Sequence, residues 1–371
     1  MDVAVSRDAE GLARALEAAG FGRAVEISDA RPRVFRVAGR RALDLAEVEG
    51  GSIQQDLGRR DFTANAMAIE LETGRWIDPF GGAADLADRQ LRLVHSDNMA
   101  DDPVRSFRAA RFYATHGLRP DRAVREACVQ AAPRLAGVAP ERIQTELAKM
   151  LEADRVARAF AWAASAGLLT PALGIRAPSG RWRAAARSLA RLEGRGRLPA
   201  SLDSRRRLRL SLIASGLGLS PQAAAEWLRR GRHGRSEAGG VKRLLELAEA
   251  ARKSCSPRAR WGWIHDAGAA LPEALLFIQI AHPRLSELVH GLKVLASRGR
   301  KGPTVTGSDL MVWLAETPGP LIGRLLREVQ IEALRGKIRT RRDARRWLTG
   351  RDGRAARGQL PKFLRPNDKE A

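Results

Sequence analysis

Cysteine is scarce in this chain. Only Cys128 and Cys255 occur, far apart, which excludes a disulfide framework and a cysteine zinc site. Long apolar runs are missing as well. A stretch such as Ala274–Ile278 falls far short of the ~20 residues that cross a bilayer, so no membrane partner is expected. The opening residues lack a basic segment followed by an apolar one, the pattern of a secretory signal, and a cytoplasmic protein is the expectation. Negative charge is also short in the second part of the chain. Residues 1–150 carry 22 Lys and Arg against 23 Asp and Glu, whereas the remainder carries 43 against 19. The whole is +23, so all the excess positive charge follows residue 150. Such a balance implies a polyanionic partner. It fits a catalytic head joined to a nucleic-acid-holding body, and 371 residues leave room for two or more domains.

One stretch stands out against this background: Arg59-Arg60-Asp61-Phe62-Thr63-Ala64-Asn65-Ala66. Its pattern predicts the entry of an apolar helix running towards Leu71, with Asp61 and Asn65 four apart on one face. Packing explains Phe62, Ala66, Met67 and Ile69 but not the polar group. A solvated helix start with Asp near the positive end of the dipole is one reading. The other is a ligand site, with the arginine pair holding phosphate and Asp plus Asn holding sugar hydroxyls.

Around it, alternation and helical spacing predict strands at 1–6, 25–27, 34–37 and 41–45, with a helix over 7–20. Asp44 sits on the last of these strands. Gly81 and Gly82 follow Pro79 in a turn that also reads as a hinge. Asp101 and Asp102 are expected to begin a helix whose first turn holds Pro103 and whose face repeats Arg105, Arg108 and Arg111. Helices follow over 123–132 and 140–151, where Glu141, Arg142, Glu146 and Lys149 read as pairs on the helix surface. From Arg181 the sequence is basic and helical, with Trp182, Trp227, Trp261 and Trp263 read as core rather than as base-stacking residues. His265-Asp266 reads as a helix pair, with no second histidine motif to suggest a metal.

The string at 59–66 resembles a signature of the class II tRNA nucleotidyltransferases (CCA-adding enzymes) and bacterial poly(A) polymerases, and further similarities follow in order. Asp78, Gly81, Gly82 and Asp85 match Asp-Pro-x-Gly-Gly and a following Asp-Leu. Residues 101–112 are similar to Glu-Asp-x-x-Arg, then Leu-Arg-Ala-x-Arg-Phe, with Asp101 standing where the family has Glu. Residues 141–149 match Glu-Arg-x-x-x-Glu-Leu-x-Lys. Residues 306–310 and 318–326 are similar to Thr-Gly-x-Asp-Leu and Pro-Gly-Pro-x-x-Gly-x-x-Leu. The resemblance runs from Asp2 to about Leu348.

The resemblance implies an α+β protein. A small mixed-sheet nucleotidyltransferase head (1–96) precedes a helical neck that recognises the base (97–170), an RNA-binding helical body (171–300) and an RNA-binding tail (301–371). It implies Mg²⁺ held by aspartates on the first strand. Asp2-Val3-Ala4-Val5 resembles the second aspartate of the family's Asp-x-Asp and the strand after it. The preceding Gly-Gly-x-Val-Arg-Asp has no counterpart, so the head is expected to be N-terminally incomplete. Asp44 is implied as a third carboxylate. Nucleotide binding falls to Arg59, Arg60, Asp61, Asn65, Asp101, Asp102, Arg105, Arg108 and Arg111, with Asp102 and Arg105 reading the base. The implied reaction adds CMP and AMP from CTP and ATP to the 3′ end of tRNA, with no protein partner. Enzymes adding only A or only C, and poly(A) polymerases, share these motifs. A non-catalytic RNA-binding protein with a degenerate head is the alternative of another class.

Overall fold

The computed structural model describes residues 2–28, 32–196, 199, 201–254, 256–299 and 302–350. Cys255 and the end of the tail after residue 350 lie outside them. The chain divides into two compact units, one reaching to Ala186 with 230–232, the other from Arg187 with that short stretch excepted.

The first unit begins with a four-stranded mixed sheet, as expected. Its strands are β1 (Asp2–Val5), β2 (Arg23–Ser28), β3 (Val34–Ala38) and β4 (Leu43–Glu47), in the order β1-β4-β3-β2. β1 runs parallel to β4; the other pairings are antiparallel. Helix α1 (Ala9–Ala18) covers one face, where Val3, Phe35, Val37 and Leu45 pack against Ala9 and Ala13. Because side chains alternate along a strand, this register turns Asp2, Asp44 and Arg36 together to the opposite face: Asp2 pairs with Asp44, and Arg36 with Asp44.

After α2 (Ile53–Gly58) the expected helix towards Leu71 does not form. Phe62 is extended (φ −125°, ψ 150°) and forms an antiparallel bridge to Leu93. The Thr63 N–H donates to the Arg92 carbonyl at 3.1 Å, and Val94 donates to the Asp61 carbonyl at 3.2 Å. Backbone groups spent sideways on a distant strand are lost to a helix. Only a 3₁₀ turn (Thr63–Asn65) remains, followed by a hairpin of β5 (Ala68–Ile69) and β6 (Trp76–Ile77).

Helix α3 (Gly82–Asp88) is capped by Asp78, whose carboxylate accepts from Gly82 and Ala83 at 2.7 and 2.9 Å. Burial pushes the Asp78 carboxyl up, but the N–H groups converging on it outweigh this and hold it below the usual range. A Cβ on Gly82 would lie 2.1 Å from the Thr63 carbonyl oxygen. Backbone cannot yield cheaply there, so Gly82→Ala is expected to lower stability by ~2–3 kcal/mol. Thermal melting checks this, and an unchanged midpoint would show that the contact relaxes.

β7 (Gln90–Leu91) precedes α4 (Asp97–Asp101), α5 (Val104–His116), β8 (Arg119–Pro120), α6 (Arg122–Ala131), α7 (Pro140–Glu152), α8 (Val156–Ser165) and α9 (Leu169–Leu173). Asp101 ends α4 rather than starting α5. Asp102 is extended (φ −139°, ψ 99°) before Pro103, as the proline ring demands of its predecessor. α5 packs on α7 and α8, burying Phe107, Ala109, Ala110 and Phe112.

The second unit is helical. Residues Leu202–Leu217 pack on Arg235–Lys253 and Leu271–Ala281, and Pro257–Ala267 packs on Pro320–Leu334. Trp227, Trp261 and Trp263 are buried here, and Trp182 in the first unit is buried too, as read from the sequence. His265 and Asp266 form the expected neighbouring pair at 3.1 Å. Thr306 caps its helix and Pro320 opens the next.

Candidate active site

The open face of the sheet presents two carboxylates side by side. Asp2 is exposed. Asp44 takes both sides of the Arg36 guanidinium, at 2.7 and 2.7 Å, and that pairing holds its carboxyl below the usual carboxylate range. Among the described residues no group of three or more metal-ligating side chains gathers. The pair nevertheless supplies the hard oxygen donors a divalent cation takes. An ionised carboxylate has about four lone-pair sites, so Asp44 can accept Arg36 and keep capacity for a cation.

The arginine segment forms a second group. Arg59 leans on Glu49 at 3.0 Å and Arg60 on Asp56 at 3.1 Å, both guanidinia largely exposed. Asp61 is 2% exposed. One of its oxygens accepts from Asn65 at 2.8 Å and from the Phe62 N–H at 3.1 Å, and the other accepts from Arg108 at 3.0 Å. Asp61 and Asn65 thus meet as expected, although no helix carries them. From α7, Glu146 (7% exposed) accepts from Arg111 at 2.5 Å and lies 3.4 Å from Arg108. Asp61, Arg108, Glu146 and Arg111 form one chain of charges, with Arg111 also 4.4 Å over the Phe112 ring. The expected surface pairs along α7 are therefore replaced by bonds to α5 and to the residue ahead of it. Arg142 pairs with Asp102 at 2.6 Å, and Glu146 with α5.

At the start of α5, Asp102 faces Arg142 with one oxygen and the Val104 N–H with the other, at 3.3 Å. Arg105 donates to the Asn98 carbonyl at 2.8 Å. The Asn98 side chain donates to the carbonyls of Gly58 and Arg60 at 2.8 and 2.7 Å. Asp101 is exposed. The structure thus ties Arg105 to the arginine segment through Asn98, holds Asp102 beside it through Arg142 and the Val104 N–H, and places Asp2 beside Asp44. Among the described residues no hydrogen bond or ion pair links these two groups. Arg36 and Asn98 were not singled out from the sequence, nor were the pairings of Arg142 with Asp102 and of Glu146 with Arg108 and Arg111. Arg142 and Glu146 stood in a matched motif; Arg36 and Asn98 gave no signal.

Residues 8–92 match the poly A polymerase head domain, and residues 117–174 match the probable RNA and SrmB-binding site of polymerase A. The chain is 30% identical over 319 residues to a CC-adding tRNA nucleotidyltransferase of Synechocystis sp., covering 81% of this chain and 76% of that protein. It is 29% identical over 387 residues to a CC-adding tRNA nucleotidyltransferase of Geobacter sulfurreducens, covering 94% and 86%. The crystal structure of the Bacillus stearothermophilus CCA-adding enzyme in complex with CTP superimposes with a TM-score of 0.73 at 25% identity, over 96% of this chain and 89% of that one.

Proposed function

Since the chain belongs to the family of tRNA nucleotidyltransferases and bacterial poly(A) polymerases, we propose that it transfers CMP and AMP from CTP and ATP to the 3′ end of tRNA. One observation carries the nucleotide choice: an acceptor, Asp102, and a donor, Arg105, stand three residues apart at the start of α5, each with capacity to spare. Arg105 has about five N–H donors, of which the Asn98 carbonyl takes one. Cytosine and adenine each place an amine donor beside a ring acceptor. Uracil and guanine do not. Each such pair discriminates by roughly 1–3 kcal/mol.

The remaining roles follow from exposure and occupancy. Arg59 and Arg60, exposed, meet the triphosphate. Asn65 faces the ribose. Asp61, buried and filled by Asn65 and Arg108, positions both. Arg108 and Arg111, bound to Glu146, hold α5 in place, and Asp101 stays at the rim of the site. Enzymes of this family use a divalent metal. Here Asp2 and Asp44 would hold Mg²⁺, which would supply charge screening of the triphosphate and activation of the primer hydroxyl. The head spans 1–96, the neck 97–170, the body 171–300 and the tail 301–371, with the basic part after residue 150 holding tRNA phosphates.

The test is nucleotide incorporation with Mg²⁺, each NTP separately, and tRNA lacking CCA, ending in CC or complete. CTP is expected to extend the first and ATP the second. An arrest after CC marks a CC-adding enzyme, and repeated A marks a poly(A) polymerase. Salt-dependent tRNA binding with no incorporation of any nucleotide would replace the enzyme by an RNA-binding module. Arg105→Ala is expected to lower CTP-over-UTP selectivity about tenfold or more and leave tRNA affinity nearly intact. An equal loss in both refutes the base-reading assignment.

A further inference from the structure

We propose that Asn98 is a positioning residue that sets the distance between the base reader and the phosphate-side arginines; the inference rests on the base reading by Asp102 and Arg105. Asn98 lies in the short helix α4 and is 9% exposed. Its amide nitrogen donates to two carbonyls, of Gly58 at 2.8 Å and of Arg60 at 2.7 Å. These carbonyls can only accept, so the nitrogen must face them, and both of its hydrogens are committed. The two acceptors flank Arg59 in the chain, and the second immediately precedes Asp61. On its other side, the backbone carbonyl of Asn98 accepts from Arg105 at 2.8 Å. One residue therefore grips the segment of Arg59 and Arg60 with its side chain and the Arg105 guanidinium with its main chain.

The family resemblance places a glutamate before the base-reading aspartate, and in this chain the shorter Asp101 occupies that place. Arg105 donates to the Asn98 carbonyl, so the orientation of Arg105 is set by where α4 sits. The amide of Asn98 in turn pins α4 to the arginine segment. A nucleotide whose base satisfies Asp102 and Arg105 then has its phosphates delivered to Arg59 and Arg60 at a fixed spacing. A wrong base breaks that alignment as well as its own hydrogen bonds. Misplacement by about 1 Å can cost about 100-fold in rate, so a spacer of this kind bears on selectivity and turnover together.

The experiment compares kcat and KM for CTP, ATP, UTP and GTP in the full chain, in Asn98→Ala, in Arg105→Ala and in the double variant, with tRNA affinity measured beside them. Asn98→Ala is expected to lower kcat for CTP about 10- to 100-fold and CTP-over-UTP selectivity about tenfold, with tRNA affinity unchanged. In the double variant the selectivity losses are expected not to add, because both act through the Arg105 guanidinium. Asn98→Ser, which can still donate once, is read in the same way if Asn98→Ala does not fold. Equal loss for all four nucleotides, with selectivity kept while Arg105→Ala relaxes it, overturns the role of Asn98 and leaves the base reading standing. If Arg105→Ala itself leaves selectivity intact, the base reading fails and the Asn98 inference with it.

Discussion

Asp44→Asn is expected to lower nucleotide incorporation by about 10³-fold while tRNA binding and melting temperature stay nearly unchanged. Asp44 is the register partner of Asp2 across the parallel pair β1 and β4, on the face away from α1. The substitution keeps the shape and removes the charge from one of two adjacent carboxylates. Metal stabilisation of a phosphoryl transfer is worth several kcal/mol, and each 1.36 kcal/mol is about tenfold in rate. The lost ion pair with Arg36 is largely exposed, and pairs of that kind contribute about 0–1 kcal/mol, so folding survives the change. Single-turnover incorporation across a Mg²⁺ titration is the measurement. A fall of less than about tenfold at saturating Mg²⁺ removes Asp44 from the metal site. The acid side carries a sign of its own. Arg36 depresses the Asp44 pKa, so the ion pair is fully formed above the ordinary aspartate value of about 3.9 and is lost as the pH falls through the lower folded value. Protonation of Asp44 therefore does not limit activity near neutral pH.

Much of this was legible in the residues. Period-two alternation separates Val3, Val37 and Leu45 from Asp2 and Asp44, and the sheet keeps that separation. The α+β class was implied by the resemblance, and the strands around one helix that the alternation predicts at the start of the chain are in the structure. What was not legible depended on residues distant in sequence. Asp61 and Asn65 have helical spacing, but Phe62 between them is held extended by its bridge to Leu93, with Thr63 bonded to Arg92, which no local pattern announces. Glu146 looked like half of a surface pair with Lys149, yet its partners lie at 108 and 111 on another helix. Asn98 is a single asparagine ahead of an acidic pair. Its meaning comes only from two carbonyls about forty residues upstream, brought near by packing. Charge patterns in a sequence indicate which groups need partners; only the fold selects those partners.

The largest stability effect is expected at Glu146. Its carboxylate is 7% exposed and sits between Arg111 at 2.5 Å and Arg108 at 3.4 Å, while Arg108 also bonds the 2%-exposed Asp61 at 3.0 Å. Glu146→Ala deletes the one carboxylate that pairs with Arg111 among the described residues and leaves that mostly buried guanidinium with the Phe112 ring, an interaction worth about 0.5–2 kcal/mol. Breaking a buried pair from one side costs about 3–5 kcal/mol, because the remaining charge stays desolvated. For a unit of this size that is a fall in melting temperature on the order of 10 °C. Glu146→Gln keeps the shape and one acceptor, so about half the effect is expected from it. Combining Glu146→Ala with Arg111→Met removes the stranded charge and should recover part of the loss. If instead Glu146→Ala shifts melting by under about 2 °C, the cluster is hydrated in solution. It would then contribute little to holding α5, and the base-reading residues at the start of that helix would depend on Asn98 and Arg142 alone.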